Sequence, residues 1–337
     1  MNQIHDPSAG VRVLLIEDSP EQAVLVKHWL EQWSGCEVVH ASDGPSGAQF
    51  AQFGTWDLVV SDIELPGVIG LDLIKIIKGV NPWTPVLMIT AHPKMEYAVT
   101  ALQNRADGIL FKPLDYGAFM EQVQKLVAEG QKKRREEQKT VLAIGAHPDD
   151  VEIGCGGTLL RHKAAGDRVV ILTLTGGEFG GRKSLRVIES EKAASVLGAE
   201  LFMGELRDTQ VSEGPETISI IESTIRVIQP THVYTHTPND AHQDHRNCYR
   251  ATIVAARGIP NLYCYQAPST TIDFRPTMFI EVGRFMDGKI KAINAYHTQT
   301  AIRAYLKEDL IMATARYWGR FSGYGYSEPM EVVRQQG

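Results

Sequence analysis

Two short stretches of this 337-residue chain concentrate side chains that can hold a metal ion. His147-Pro148-Asp149-Asp150 follows the apolar run VLAIGA, and His242, Asp244 and His245 sit close together in THTPNDAHQDHRN. Pro148 at a strand end forces a turn, so these side chains gather above a sheet edge. His147 and Asp150 are spaced to converge on one cation, with Asp149 on another side of the turn. Two histidines and one aspartate make a three-ligand site with a fourth position for water, the layout of catalytic rather than structural zinc. Zinc lowers the pKa of its water to about 7 and polarises a carbonyl oxygen. A neighbouring carboxylate can take the water's proton, and a donor histidine can stabilise an oxyanion. That combination suits hydrolysis of an amide.

A second set of groups lies earlier, at the ends of apolar runs. Glu17 and Asp18 follow one run, Asp62 ends another, and Thr90 and Lys112 end two more. Carboxylates that converge are costly unless a cation neutralises them. Oxygen ligands at high charge suit Mg²⁺, which keeps waters and leaves room for a phosphoryl group. Lys112 can pair with phosphate oxygens and the Thr90 hydroxyl can bond one. Such a site can phosphorylate a carboxylate.

Both sets need strand ends to bring them together, and the chain supplies the strands. In the first half the spacing predicts strands at Val11–Glu17, Glu37–Ala41, Leu58–Asp62, Val86–Thr90 and Gly108–Lys112, with helices between them. Ser19-Pro20 opens the first helix, with Val26, Leu30 and Trp33 at helical spacing. Strands alternating with helices imply a parallel sheet covered on both faces. Apolar periodicity stops after Leu126, and AEGQKKRREEQKT follows as a charged segment, either a solvated helix or a tether. The second half restarts at the strand Val141–Ala146. A helix near Gly156–Ala165, the strand Arg168–Thr173, helices at Ser184–Leu197 and Pro215–Ile228 and the strand His232–His236 follow. The expected architecture is α/β in two domains: a tail at 1–10, a doubly wound domain at 11–127, a charged linker at 128–139, and a Rossmann-like α/β domain at 140–337.

The first half, over about residues 11–127, resembles the receiver domain of two-component response regulators, a five-stranded flavodoxin-like fold. The resemblance implies that Asp62 is the phosphoacceptor, that Glu17, Asp18 and Asp62 bind Mg²⁺, that Thr90 senses the phosphoryl group and that Lys112, followed by Pro113, holds it. It also implies a sensor histidine kinase or phosphotransfer protein as partner. Two positions depart from the pattern: Ile69 stands before Gly70 in place of an acidic residue, and Ile109 replaces the aromatic switch residue three before Lys112.

The second half, over about residues 140–335, resembles the LmbE/PIG-L family of zinc deacetylases. AHPDDVEIGCGGTL, Arg186 with Glu189, Arg207-Asp208, NDAHQDHR and SGYGYSEPMEVV carry the likeness. The resemblance implies that His147, Asp150 and His245 hold zinc, that Asp149 is the general base, and that His242 stabilises the oxyanion or protonates the leaving amine. Asp244 would orient a histidine, as such carboxylates commonly do. Arg186 and Asp208 match sugar-binding positions, and the implied substrate is an N-acetylglucosamine-type amide. The aromatic residues Tyr317, Trp318, Phe321, Tyr324 and Tyr326 read more readily as core than as a sugar platform, and His297 as a core histidine or a neighbour of the site.

Composition narrows the alternatives. The net charge is −6, from 34 Lys+Arg against 40 Asp+Glu, which argues against a nucleic-acid surface. No apolar run approaches the roughly 20 residues of a membrane span. MNQIHDPSAG lacks a basic-then-apolar leader pattern. Four scattered cysteines without a CxxC pair fit small buried residues in a reducing cytoplasm. HExxH is absent, and GCGG at 154–157 fits close packing better than a phosphate cradle. The rival reading is a signalling adaptor whose second domain binds a sugar or partner without turnover. Asp149 argues against it, since a pure binder needs no base. The sequence leaves a homo-oligomer open.

Overall fold

The computed structural model describes residues 10–33, 35–66, 70–92, 99–101 and 103–336. It divides into two compact units, Met1–Glu137 and Gln138–Gly337.

The first unit holds a five-stranded sheet in the order β2-β1-β3-β4-β5. The strands are β1 (Arg12–Ile16), β2 (Glu37–Ala41), β3 (Leu58–Asp62), β4 (Val86–Thr90) and β5 (Gly108–Phe111), and every pairing is parallel. β1, β3 and β4 read as almost unbroken apolar runs because both their faces are covered. One face packs on α1 (Pro20–Glu31) and the helix Tyr116–Glu137 through Val26, Leu30, Phe119 and Val123. The other packs on α2 (Gly44–Phe53) and α3 (Gly70–Val80). Ser19 caps α1, accepting from the Gln22 amide, and Asp43 caps α2, accepting from the Ser46 amide at 2.7 Å. Ile109 packs within the second of these core clusters, and Ile69 lies outside the described residues, as do residues 1–9 of the N-terminal tail.

The helix Tyr116–Glu137, here α4, runs on through the charged segment after Leu126. The sequence left a tether open there; the structure has helix as far as Glu137. Its residues are mostly strong helix formers, so the helix persists where the apolar stripe ends. Its buried residues stop at Gly130.

The second unit is built on a seven-stranded sheet in the order β11-β12-β10-β9-β6-β7-β8. The parallel strands are β6 (Thr140–Gly145), β7 (Arg168–Thr175), β8 (Glu200–Leu206), β9 (His232–Thr235) and β10 (Asn261–Tyr265). β12 (Ser327–Arg334) runs antiparallel to β10 and to β11 (Met278–Glu281). Helices α5 (Asp150–Ala164), α6 (Lys183–Leu197), α7 (Pro215–Ile228), α8 (Gln243–Ala255) and α9 (Met286–Asn294) cover the two faces. After α9 come α10 (His297–Thr300) and α11 (Glu308–Ser322). The chain order reverses direction across the sheet at β6, which lies between β7 and β9. A crevice opens outside the carboxyl ends of strands at such a point, and β6 and β9 deliver the His/Asp loops there.

One helix starts earlier than its sequence suggests. α5 begins at Asp150, six positions before Gly156, and is broken inside at Cys155, where φ is −142° and ψ 18°. The glycine run that reads as a boundary is an interior break. The described residues contain no helix long and apolar enough to cross a membrane. All four cysteines are free thiols; Cys155, Cys248 and Cys264 are buried and Cys36 is half-buried.

Candidate functional site

In the first unit, Lys112 reaches over the ends of β1 and β3. Its Nζ donates to Asp62 Oδ2 at 2.6 Å and to Glu17 Oε2 at 2.9 Å. Burial pushes the Glu17 carboxyl above its ordinary pKa, with Lys112 pulling the other way. For Lys112 itself burial works against the charge, yet its bonds to Asp62 and Glu17 raise its pKa. Glu17, Asp18 and Asp62 each present an oxygen within 4.8 Å of the others. Glu17 and Asp62 are buried while Asp18 is exposed, so the cluster opens to solvent on one side. The Glu64 amide donates to Asp62 Oδ1 at 2.9 Å, leaving Oδ2 to Lys112. Thr90, buried at the end of β4, accepts from the His92 amide at 3.1 Å, and its carbonyl accepts from the Lys112 amide at 2.8 Å.

In the second unit, the loop after β6 and the start of α8 meet. His147 Nδ1 lies 3.4 Å from Asp150 Oδ2 and 3.3 Å from His245 Nε2, and His245 Nε2 lies 3.3 Å from Asp150 Oδ1. Donor atoms bound tetrahedrally at about 2.0–2.1 Å stand about 3.3–3.4 Å apart. The three side chains therefore have the spacing of a shared cation's ligands. Carboxylates surround both imidazoles. Burial opposes protonation of His147, but Asp150, Asp208 and Asp244 hold its pKa well above the ordinary value. His245, likewise opposed by burial, is pushed up to about 9 by Asp150 and Asp240. A field that forces protons onto imidazoles is one that attracts positive charge to this point.

The remaining nitrogens are held from behind. His147 Nε2 faces Asp208 Oδ1 at 3.1 Å and Asp244 Oδ2 at 3.3 Å. His245 Nδ1 faces Asp240 Oδ2 at 3.0 Å. His236, at the end of β9, puts Nε2 3.1 Å from Asp150 Oδ2 and 3.2 Å from the Tyr265 hydroxyl. Tyr265 crosses α5 at Gly154, where a Cβ would sit 2.1 Å from the ring; only glycine permits that approach.

Asp149 stands apart from these ligands. Its φ is +96°, a conformation rarely adopted by non-glycine residues, and such outliers persist where surrounding structure enforces them. Arg186 enforces this one. Its guanidinium donates to the Pro148 carbonyl and lies 3.5 Å from Asp149 Oδ2. Burial pushes the Asp149 carboxyl up to about 7, against the pull of Arg186. Arg186 is itself buried, and its Nε and one terminal nitrogen have no partner.

Asp149, Asp150, Arg186, His242 and Tyr305 line a cavity of about 410 Å³. His242 caps α8, and its Nδ1 accepts from the Asp244 amide at 3.2 Å. Burial and the neighbouring His245 and His147 lower its pKa. A neutral imidazole that accepts at Nδ1 carries its proton on Nε2, so His242 is a donor.

The structure thus gathers His147, Asp149, Asp150, Arg186, Asp208, His242, Asp244 and His245 in one place. Asp208 both lines the cavity and bonds His147. Glu189 turns away from it, accepting from the amide and hydroxyl of Thr298. Neither the core nor the site claims all the aromatic tail. Tyr317, Phe321 and Tyr324 are each about half exposed, and Tyr317, Trp318, Phe321 and Phe279 cluster on the surface of α11. His297 is exposed, and Gln299 lines the cavity instead. Sequence reasoning missed His236 and Asp240. Both lie in the same THTPNDAHQDH segment, where a histidine ending a strand and an aspartate five before His245 were the available clues.

Both halves of the chain are similar to known proteins. Residues 142–256 match the family model "GlcNAc-PI de-N-acetylase" (PIG-L), and residues 13–124 match "Response regulator receiver domain". The uncharacterized deacetylase YaiS of Escherichia coli is 37% identical over 153 residues, 43% of this chain and 83% of that protein. The diacetylchitobiose deacetylase of Thermococcus kodakarensis is 30% identical over 222 residues, 58% of this chain and 83% of that protein. The solved N,N'-diacetylchitobiose deacetylase from Pyrococcus horikoshii shares the fold with a TM-score of 0.53 at 22% identity, over 66% of this chain and 95% of that one. The chain belongs to the PIG-L deacetylase family and carries a response regulator receiver domain in its N-terminal half.

Proposed function

We propose that the second unit is a zinc-dependent hydrolase that removes the acetyl group from an N-acetylglucosamine-type amide, and that the receiver regulates it. The observation that carries the reading is the cluster of His147, Asp150 and His245 lining the cavity, with His147 Nδ1 and His245 Nε2 3.3 Å apart and each 3.3–3.4 Å from one of the two Asp150 oxygens. Two imidazoles and one carboxylate suit zinc better than Mg²⁺, which prefers oxygen. When bound, the ion would acidify the attacking water and polarise the acetamide carbonyl.

The chain's own groups supply the rest. Asp149 accepts the proton of the water as it attacks the carbonyl carbon. His242 donates a hydrogen bond from Nε2 to the developing oxyanion. The C–N bond breaks, the amine leaves with the proton that Asp149 took from the water, and acetate remains. Arg186, with two unpartnered buried nitrogens, offers donors to substrate oxygens.

In the receiver, Glu17, Asp18 and Asp62 offer an all-oxygen set for Mg²⁺, and Asp62 is the phosphoacceptor for a sensor kinase or phosphotransfer protein. The regulatory route we favour is the chain that leaves α4. The Lys139 amide donates to Asp167 Oδ1 at 2.9 Å and the Gln138 side chain donates to the Gly166 carbonyl at 2.7 Å. That turn ends α5, whose first residue is Asp150.

The test is release of amine from N-acetylglucosamine derivatives by zinc-loaded full chain, with and without beryllofluoride and Mg²⁺. Asp149→Asn should lower kcat by about 10²–10⁴-fold while zinc stays bound. Full turnover in that variant removes Asp149 as the base; a metal-loaded chain inert toward every acetylated sugar overturns the hydrolase reading in favour of an adaptor. Equal rates and equal oligomeric state with and without beryllofluoride overturn the regulatory one.

A further inference from the structure

The break in α5 is spliced by a buried ion pair that no step above uses. In an unbroken helix the Gly157 amide would donate to the Ile153 carbonyl. Here Lys289 Nζ, from α9, donates to the Ile153 carbonyl at 2.7 Å. Glu328, from β12, accepts from the Gly157 amide at 2.9 Å, the Thr158 amide at 2.7 Å and the Thr158 hydroxyl at 2.6 Å. Lys289 and Glu328 then meet each other at 2.6 Å. A charged pair is inserted into the hydrogen-bond ladder, each member taking one half of a broken bond.

The pair is buried almost completely, with Lys289 5% and Glu328 2% exposed. Removing two charges from water is expensive, and buried pairs are weak evidence for stability. A continuous helix would satisfy the same backbone groups without either charge. What the break does change is the direction of the first turn, Asp150–Gly154. That turn carries Asp150, follows Asp149 directly, and brings Ile153 to the cavity wall. The space for the splice is prepared as well. A Cβ on Gly157 would approach Val282 to 2.9 Å and Glu328 Oε1 to 3.0 Å.

We propose that Glu328 and Lys289 are positioning residues for the hydrolytic site: by splicing α5 at Cys155 they fix the first turn so that Asp150 and Asp149 face the shared cation and the substrate. The inference rests on the hydrolase reading above. Neither residue touches substrate or cation; each acts through the orientation of the turn.

The test uses the full chain with Glu328→Gln, which keeps one acceptor oxygen and replaces the other with a donor, and with the pair Glu328→Gln/Lys289→Gln, which removes both charges. Three readouts are taken: Zn²⁺ affinity by chelator competition, the visible spectrum of the Co²⁺-loaded protein, and kcat with KM. Supporting residues of metal sites typically affect affinity or activity by about 10–100-fold. We expect a loss of about that size in Zn²⁺ affinity and kcat, an altered Co²⁺ spectrum, and KM within about threefold. Zn²⁺ affinity, spectrum and kcat all within about twofold of the parent in a folded variant would reduce the pair to a structural tie and overturn the proposal. Failure of both variants to fold would overturn it too, since the pair would then determine the fold rather than the site. A parent chain that binds no divalent ion, or frees no amine, sinks the hydrolase reading instead.

Discussion

The two units gather acidic groups at the same place, the carboxyl ends of parallel strands, but neutralise them differently. In the receiver the counter-charge is Lys112, which bonds Glu17 and Asp62 directly. In the hydrolase, Asp150, Asp208, Asp240 and Asp244 face imidazoles. A lysine keeps its proton at neutral pH, so the receiver has a resident cation and any metal ion shares the site with it. An imidazole can give up its proton and become a ligand. The hydrolase cluster can therefore be neutralised by protons or by an ion, but the ion must displace the protons. One site suits an ion that comes and goes with a phosphoryl group; the other suits one that stays.

Removing a ligand from the second site should have the largest effect. His245→Ala deletes one member of the donor cluster and leaves Asp240 and Asp150 without their shared partner. Zinc content after dialysis should fall to background and amine release should drop by at least about 10³-fold, an effect on the scale of losing a metal-activated water. Retention of stoichiometric zinc would break the comparison, because the ion would then be held elsewhere.

The receiver should respond in the opposite sense. Lys112→Met removes the resident cation and leaves Glu17 and Asp62 facing each other. Without Mg²⁺ the receiver should lose about 2 kcal/mol of stability, the order expected when a buried charged group loses its partner. Mg²⁺ affinity should rise by about tenfold, since the ion no longer competes with an ammonium group. Thermal melts of parent and variant across a Mg²⁺ titration measure both. A weaker Mg²⁺ response in the variant would mean that Lys112 organises the site rather than filling it.

The sequence carried most of this arrangement because both sites hang from strand ends, and strand ends are legible. Glu37–Ala41, Leu58–Asp62 and Val86–Thr90 are strands with the predicted limits, since buried parallel strands are short apolar runs with polar stops. Asp62, Thr90, His147 and Asp150 follow from such stops. What the sequence obscured are residues that act at a distance along the chain. Glu328 and Lys289 look like ordinary surface charges until β12 and α9 fold against α5. The start of α5 was misplaced because the helix was expected to open near Gly156, but the close packing expected of GCGG is there, Gly154 against Tyr265 and Gly157 against Val282 and Glu328. Likewise the charged end of α4 has no apolar stripe, and its helix rests on intrinsic propensity and on surface pairs such as Lys132 with Glu136.

The smallest effect comes from the other end of β9. His236, at the carboxyl end, and His232, at the amino end, both have their pKa lowered to about 4, chiefly by burial. His232 is far along the strand from the carboxylates of the site; Lys139 and His162 add to the lowering, and Asp167 opposes it. Its folded pKa is thus below the ordinary 6.5, so the unfolded chain takes up the proton first. The stability that a neutral His232 contributes is complete above pH 6.5 and is lost as pH falls from there to about 4. His232→Gln cannot be protonated, so its denaturation free energy should fall less steeply than the parent's across that window. Because the ring is only half-buried, the difference should be about half a kcal/mol. Urea titrations of both chains at several pH values, with the metal removed, isolate it as a difference of slopes. Parallel curves would show that His232 finds solvent, or the Asp167 carboxylate, when it is protonated.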